Sequence, residues 1–336
     1  MNVNCLTFPR AALSICAALV CAPLPTFASS ILPADLASFA VLGASTVTNV
    51  PISNIQGNVG VWPGTSITGF NSVSGSAVSD YQVTGGLVHS ATPLAQSAQN
   101  ELTRARNDLL SMGAGTLLPS DLAGLTLKPG VYTVPAAATN LSGTLTLDGG
   151  GNPNAAWVFQ MASTLITSSS SVVNMIGGGA NGGVFWNVGS SATLNTYSTF
   201  MGNILALTSI SAKTGATVSC GRLLAQNAAV TLEMNTISAA CNGSFAGSNG
   251  LSGGLDVTVV DGTDHVTLVG DVDGDGDWDG DGDTDGDGDG HGGGHGHGHG
   301  HGHGTGPSPV PLPGSFGLLA LGIAGLFAVR RKRPKV

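Results

Sequence analysis

Residues 183–201 read GVFWNVGSSATLNTYSTFM, residues 202–220 read GNILALTSISAKTGATVSC, and residues 221–238 read GRLLAQNAAVTLEMNTIS. Set beneath one another, Gly183, Gly202 and Gly221 fall at one spacing. So do Phe185, Ile204 and Leu223, and so do Trp186, Leu205 and Leu224. Each unit is built of short runs in which apolar and small polar residues alternate, with no helical period inside it. A repeat of roughly twenty residues made of short strands is the mark of stacked coils, each burying its apolar face against its neighbours. Val131-Tyr132 and Val158-Phe159 read as first strands of earlier coils, with longer insertions between them. The reading is a parallel β-solenoid.

Side chains alternate across a strand. In the middle strand of each unit this puts Leu145 and Leu147, Ala192 and Leu194, Ile210, and Val230 and Leu232 on one side. The other side then carries Ser142, Thr144, Thr193, Ser211 and Thr231. Coils stack ~4.8 Å apart and alternate residues along a strand lie ~6.7 Å apart, so one sheet presents a grid of small hydroxyls and methyls. Such a grid is a poor catalytic surface and a template for something periodic. Asn203, on the first strand of a coil, is expected at a surface outside it.

The charge balance excludes one class of partner. Across residues 31–270 there are five Lys/Arg (Arg104, Arg106, Lys128, Lys213, Arg222) against ten Asp/Glu. No basic patch is available to neutralise phosphates, so a nucleic-acid partner is not expected. About 240 residues suffice for one core, and one domain with appendages is expected. Residues 1–28 read as a secretory signal peptide: Arg10, an apolar run from Ala11 to Val20, then Thr26-Phe27-Ala28 as a small-residue cleavage site. Ile15 and Val20 precede Cys16 and Cys21 where a lipoprotein signal wants a small residue. After cleavage Cys220 and Cys241 remain. In an exported protein an even pair at the end of the repeat is most simply a disulfide stapling the last coil; two buried free thiols are the alternative.

Between residues 92 and 112 the period changes. Leu94, Ala98, Leu102, Ala105, Leu109 and Met112 recur at spacings of three and four, with Thr92 as N-cap, Pro93 at the first helical position and Gly113 as a stop. One long amphipathic helix inside a β-solenoid must lay its apolar stripe along the coil wall.

The stretches FAVLGASTVTN, IQGNVGVWPGTSITGF, LKPGVYTV, LSGTLTLDGGGNPNAAWVFQ, GGVFWNVGSSATLNTYSTFMGNILA and GRLLAQNAAVTLEMNTIS run in order across residues 31–241, around the helix. In these the sequence resembles the bacterial and fungal ice-binding protein family, the DUF3494-type or ice-binding-like domain. The resemblance implies a mainly β fold: a right-handed, discontinuous parallel β-solenoid of triangular section with one long α-helix packed alongside. It also implies that one flat sheet contacts ice through a mix of Thr, Ser, Ala and Asn. Matched strand by strand, that sheet would carry Ser45, Thr68, Thr144, Thr193, Ser211 and Thr231. Glu233 departs from such a face if it points outward.

The domain is taken as residues 31–242, with residues 243–270 forming an appended hairpin that alternates around Asp261-Gly262-Thr263-Asp264. Residues 271–308 are nearly all Asp and Gly, then His and Gly, and cannot bury a core; they read as a flexible linker. Carboxylates such as Asp273, Asp275 and Asp277 are compatible with weak calcium binding, although Gly282 stands where a helix-loop-helix calcium site needs a bidentate Glu. Alternating imidazoles such as His295, His297 and His299 are compatible with zinc, nickel or copper, and a solvated spacer is the equal alternative for both runs. Residues 309–336 hold a VPLP motif, an apolar run from Phe316 to Val329 that is short for a stable span, and the basic cluster Arg330-Arg331-Lys332-Arg333. This tail resembles the PEP-CTERM class of sorting signals. The resemblance implies cleavage by an exosortase-type membrane enzyme, with release or attachment at the surface of a Gram-negative bacterium.

Three functions are carried forward. The first is a non-enzymatic ice-binding protein that needs no cofactor. The second is a surface or matrix adhesin whose solenoid is a stalk or binds other cells or glycans such as a cell-surface polysaccharide. The third is a polysaccharide-active enzyme, for which clustered carboxylates are required. Asp80, Asp121, Asp148, Glu233, Glu101 and Asp108 are the candidates. Residues 250–254 match G-x-S-x-G but lack its strand–turn–helix context.

Overall fold

The computed structural model describes residues 30–260 and 263–269. The expected signal peptide, linker and sorting signal lie outside these residues.

The chain forms a parallel β-solenoid with three sides. One side is a separate seven-stranded sheet. The other two belong to one sixteen-stranded sheet, because Thr199–Ala206 and Thr217–Ala225 are long enough to turn the corner between them. The stack is discontinuous. The N-terminal strand Phe39–Gly43 pairs with Thr217–Ala225, placing Val41 opposite Leu223 and Leu42 opposite Leu224. The last coil of the repeat is thus followed by the first coil of the chain.

The nineteen-residue spacing holds between the second and third units, where Ile204 faces Leu223. In the first unit the register differs by one from the sequence alignment: Phe185 faces Asn203 and Trp186 faces Ile204. Packing explains the shift. Trp186 enters the solenoid interior and stacks on Phe159, ring centroids 4.0 Å apart, while Phe200 closes its other side at 4.9 Å. Phe185 points the opposite way, into a second core beneath the helix.

That second core explains why strands such as Ala156–Met161 and Gly183–Val188 are buried at every position. Alternate residues serve the interior and the helix. The helix Pro93–Ser111 begins as its sequence demands, Thr92 accepting a hydrogen bond from the Ala95 N–H, and buries Ala95, Ala98, Leu102, Ala105 and Leu109. Arg106 is also buried and donates to the carbonyls of Val188 and Leu205, tying the helix to two coils. The hairpin Leu255–Val260 and Thr263–Leu268 lies beside the helix, with Val257 and Val266 in the same core and Arg104 paired to Asp264 at 2.6 Å.

Arg222 is fully buried and has no carboxylate partner among the described residues. Its Nε donates to the Ala37 carbonyl (2.9 Å), Nη1 to Asn203 Oδ1 (2.8 Å) and the Gly250 carbonyl (3.2 Å), and Nη2 to the Asn249 carbonyl (2.9 Å). Burial pulls its pKa down to about 10, so the guanidinium remains charged at neutral pH. Asn203, expected on the surface, is fully buried here because residues 249–251 cross over it.

Cys220 and Cys241 form a disulfide across a sequence separation of 21. It fastens the end of the repeat to the segment that covers Arg222. A closed loop of this length contributes about 3 kcal/mol by chain entropy. Cys241→Ser is therefore expected to lower the urea-unfolding free energy by about that amount, and a loss under about 1 kcal/mol would contradict a structural role.

Candidate functional site: the seven-stranded sheet

The seven-stranded sheet consists, in spatial order, of Ala138–Leu141, Thr164–Thr167, Ala192–Leu194, Ile210–Ala212, Val230–Glu233, Thr46–Val50 and Ser66–Thr68. Its inward residues Leu165, Ala192, Leu194, Ile210, Ala212, Val230, Leu232 and Val47 are buried in the solenoid core. That packing fixes the phase, because a slip by one residue would expose the whole apolar set.

The outward residues form rows. In the first, Thr193 faces Ser211, Ser211 faces Thr231, Thr231 faces Thr48, and Thr48 faces Thr68. On the far side of Thr193 the row continues through Ile166 to Asn140. A second row holds Thr164, Ser191, Ser209, Ala229, Thr46 and Ser66. Its register is carried by the backbone bonds from Leu165 N to Ser191 O, Ala192 N to Ser209 O and Ile210 N to Ala229 O, and by Thr46 facing Ser66. The Ser191 and Ser209 hydroxyls are bonded to each other at 3.0 Å, and Ser191 Oγ also accepts from the Ser209 N–H at 3.3 Å. Over five strands both rows are therefore short, uncharged and held to the strand spacing.

Four of the six residues chosen from sequence, Thr68, Thr193, Ser211 and Thr231, share the first row. Two do not. Ser45 precedes its strand, in the turn where its N–H bonds the Ala228 carbonyl, and Thr48 holds the place in register with Thr231. Thr144 belongs to Thr144–Asp148, which pairs with Thr126–Leu127 and Val172–Ile176 on the third side of the solenoid. Asn140 takes the position in the sheet that the coil would have given it. Thr46, Thr48, Thr164, Ser66, Ser191 and Ser209 were missed. Alternation around Val47 and Leu165 was the available signal for three of them.

Glu233 does point outward, two residues beyond Thr231. Its Oε1 accepts from Lys213 Nζ at 3.2 Å and its Oε2 from Thr214 Oγ1 at 3.1 Å. The Lys213 hydrogen bond, then that of Thr214, outweighs desolvation and holds its carboxyl below the usual range.

The third side also bears hydroxyls, Thr199 facing Thr217 and Thr217 facing Thr236. Its run of hydroxyls is shorter, three strands bounded by Val172 and Asn54, against five in the first row of the seven-stranded sheet. The one register shift, between Met201 and Gly202, lies at the corner into the helix-covered side.

Three of the other candidate carboxylates are engaged in local hydrogen bonds. Asp80 accepts from the N–H groups of Asn71 and Gln82. Asp121 accepts from Ser142, which holds its carboxyl below the usual range, and Asp148 accepts from Lys128 and the Gly150 N–H, with the same effect. Ser252 Oγ donates to the Asn249 carbonyl. Among the described residues no three His, Cys, Asp or Glu side chains cluster at metal-binding distance. Asp273, Asp275, Asp277, His295, His297 and His299 lie outside the described residues.

With this geometry in place, comparison with known proteins is specific. Residues 41–238 match the ice-binding-like family, and residues 309–333 match the PEP-CTERM protein-sorting motif. An ice-binding protein of Nostoc sp. (strain HG1) is 47% identical over 206 residues, 61% of this chain and 72% of that protein. One from a Colwellia species is 35% identical over 219 residues, covering 61% and 82%. Among solved structures, the ice-binding protein of the Antarctic ascomycete Antarctomyces psychrotrophicus aligns with a TM-score of 0.55 at 35% identity, covering 63% of this chain and 98% of that one. An Arctic yeast ice-binding protein aligns at 0.57 with 28% identity, covering 62% and 94%. The sheet, the helix beside it and the residues that build both place this chain in the ice-binding-like family, to which it belongs.

Proposed function

We propose that this chain is an exported, non-enzymatic protein that binds ice through the seven-stranded sheet. The observation that carries the reading is the pair of uncharged rows held in register across five strands, from Thr193 to Thr68 and from Ser191 to Ser66. Hydroxyls and methyls fixed at ~4.8 Å by ~6.7 Å hold water in an ordered layer, and that layer merges with a crystal surface. Growth then continues only between bound molecules, on curved fronts, and the freezing point falls.

The sorting motif supports export followed by C-terminal processing by an exosortase-type enzyme in a Gram-negative host, with attachment or release at the cell surface. In this reading residues 31–242 bind ice, the hairpin within 243–270 buttresses the helix, residues 271–308 are a spacer, and residues 309–336 are the sorting signal. No cofactor enters the contact. Purified exported chain is expected to inhibit ice recrystallisation equally with and without EDTA. Failure to inhibit would sink the reading, and loss of inhibition on chelation would move the site toward the Asp- and His-rich stretches.

A further inference from the structure

The two hydroxyl rows end abruptly on one side. One step beyond Ser211 and Thr231 stand Lys213 and Glu233, salt-bridged at 3.2 Å, with 42% and 27% of their side chains exposed. Both oxygens of the carboxylate are engaged, by Lys213 Nζ and Thr214 Oγ1, so the pair lies fixed across two strands. Their neighbour in the same row, facing Glu233, is Val50, which is 51% exposed. Beside the charged pair, at Val50, the row is therefore open and apolar.

We propose that the Lys213–Glu233 pair is the border of the ice-contact surface, confining contact to the two hydroxyl rows and so determining its width. The proposal rests on the ice-binding reading of the same sheet. An ammonium and a carboxylate hold water by orienting it around charge, and that order competes with a lattice. Hydroxyls and methyls impose no such order. An exposed ion pair contributes little stability, typically under ~1 kcal/mol, so its removal should leave the fold intact. With Thr at both positions, a third row would run beside Ser211 and Thr231 toward Val50.

The test compares variants of the full chain by the concentration that half-inhibits recrystallisation. Lys213→Thr with Glu233→Thr is expected to lower that concentration by about two-fold, since a third row at the ~6.7 Å spacing joins the two across three strands. Lys213→Thr alone leaves Glu233 charged and unpaired, and should give no gain. Reversing the pair, with Lys213→Glu and Glu233→Lys, keeps the charges on the same strands and should match the parent. If the double Thr variant melts early, Lys213→Gln with Glu233→Gln carries the same expectation. An active parent whose folded, uncharged variants show no gain would overturn the border alone. A reversed pair that raises activity would do so too. A parent that leaves ice unaffected would overturn the ice-binding reading, and the border with it.

Discussion

Tyrosine in place of Thr231 is expected to remove most ice activity while changing the unfolding free energy by less than about 0.5 kcal/mol, the usual range for an outward surface change. Thr231 sits in the middle of the first row, between Ser211 and Thr48. Its chain neighbours Val230 and Leu232 are fully buried and hold the strand independently of it. A phenol ring at this point stands above both rows and lifts an approaching flat surface off several neighbouring hydroxyls at once. Thr231→Asp should act as strongly by another route, because a carboxylate orders water around its own charge. Thr231→Ser, which keeps the hydroxyl and loses only the methyl, should retain much of the activity. Recrystallisation assays beside urea unfolding separate these outcomes from loss of fold.

Arg222→Met is expected to lower stability by about 3 kcal/mol or more, because removing a buried charged donor leaves its acceptors unsatisfied. Those acceptors are the carbonyls of Ala37, Asn249 and Gly250 and the side chain of Asn203. They come from the short helix Ala34–Ala37, the repeat and the C-terminal covering segment, so the loss is felt in three parts of the chain. Met restores part of the volume and none of the hydrogen bonds. Arg222→Lys keeps the charge but not the planar fork, and should recover only part of the loss. A urea-unfolding difference below about 1 kcal/mol for Arg222→Met would contradict this role.

The helix and the coils were legible because their periods are strong. Thr92-Pro93 opens a stripe of six apolar residues, and the short middle strands within 202–238 alternate around Ile210, Val230 and Leu232. The outward rows of the candidate sheet are legible in the same coils and obscured where the inward residue is polar. In Thr46–Val50 the inward pair is Val47 and Asn49; Asn49 is buried and bonds the side chains of Gln82 and Ser53, so hydropathy alone does not reveal the phase. Ser45 therefore lies in the turn, and Thr48 holds the outward place in the row. Likewise Ala138–Leu141 turns Thr139 inward, fully buried, and its weak alternation hid it behind the stronger pattern of Thr144–Asp148. Asn203 failed for a different reason. What covers it lies 47 and 48 residues further along the chain, at the Gly250 and Leu251 carbonyls. Local pattern carries no trace of a contact at that distance.

In the proposed function one side of the solenoid, and not its neighbour, meets ice. Matched tyrosine scans test it directly, read as the fraction of protein taken up by a growing ice hemisphere. Tyrosine at Thr48, Ser211 or Thr231 should abolish uptake, and tyrosine at Thr199, Thr217 or Thr236 on the third side should leave it at the parental level, with all six variants unfolding like the parent. Full uptake by the first three and loss from the second three would place the contact on the other side and contradict the account.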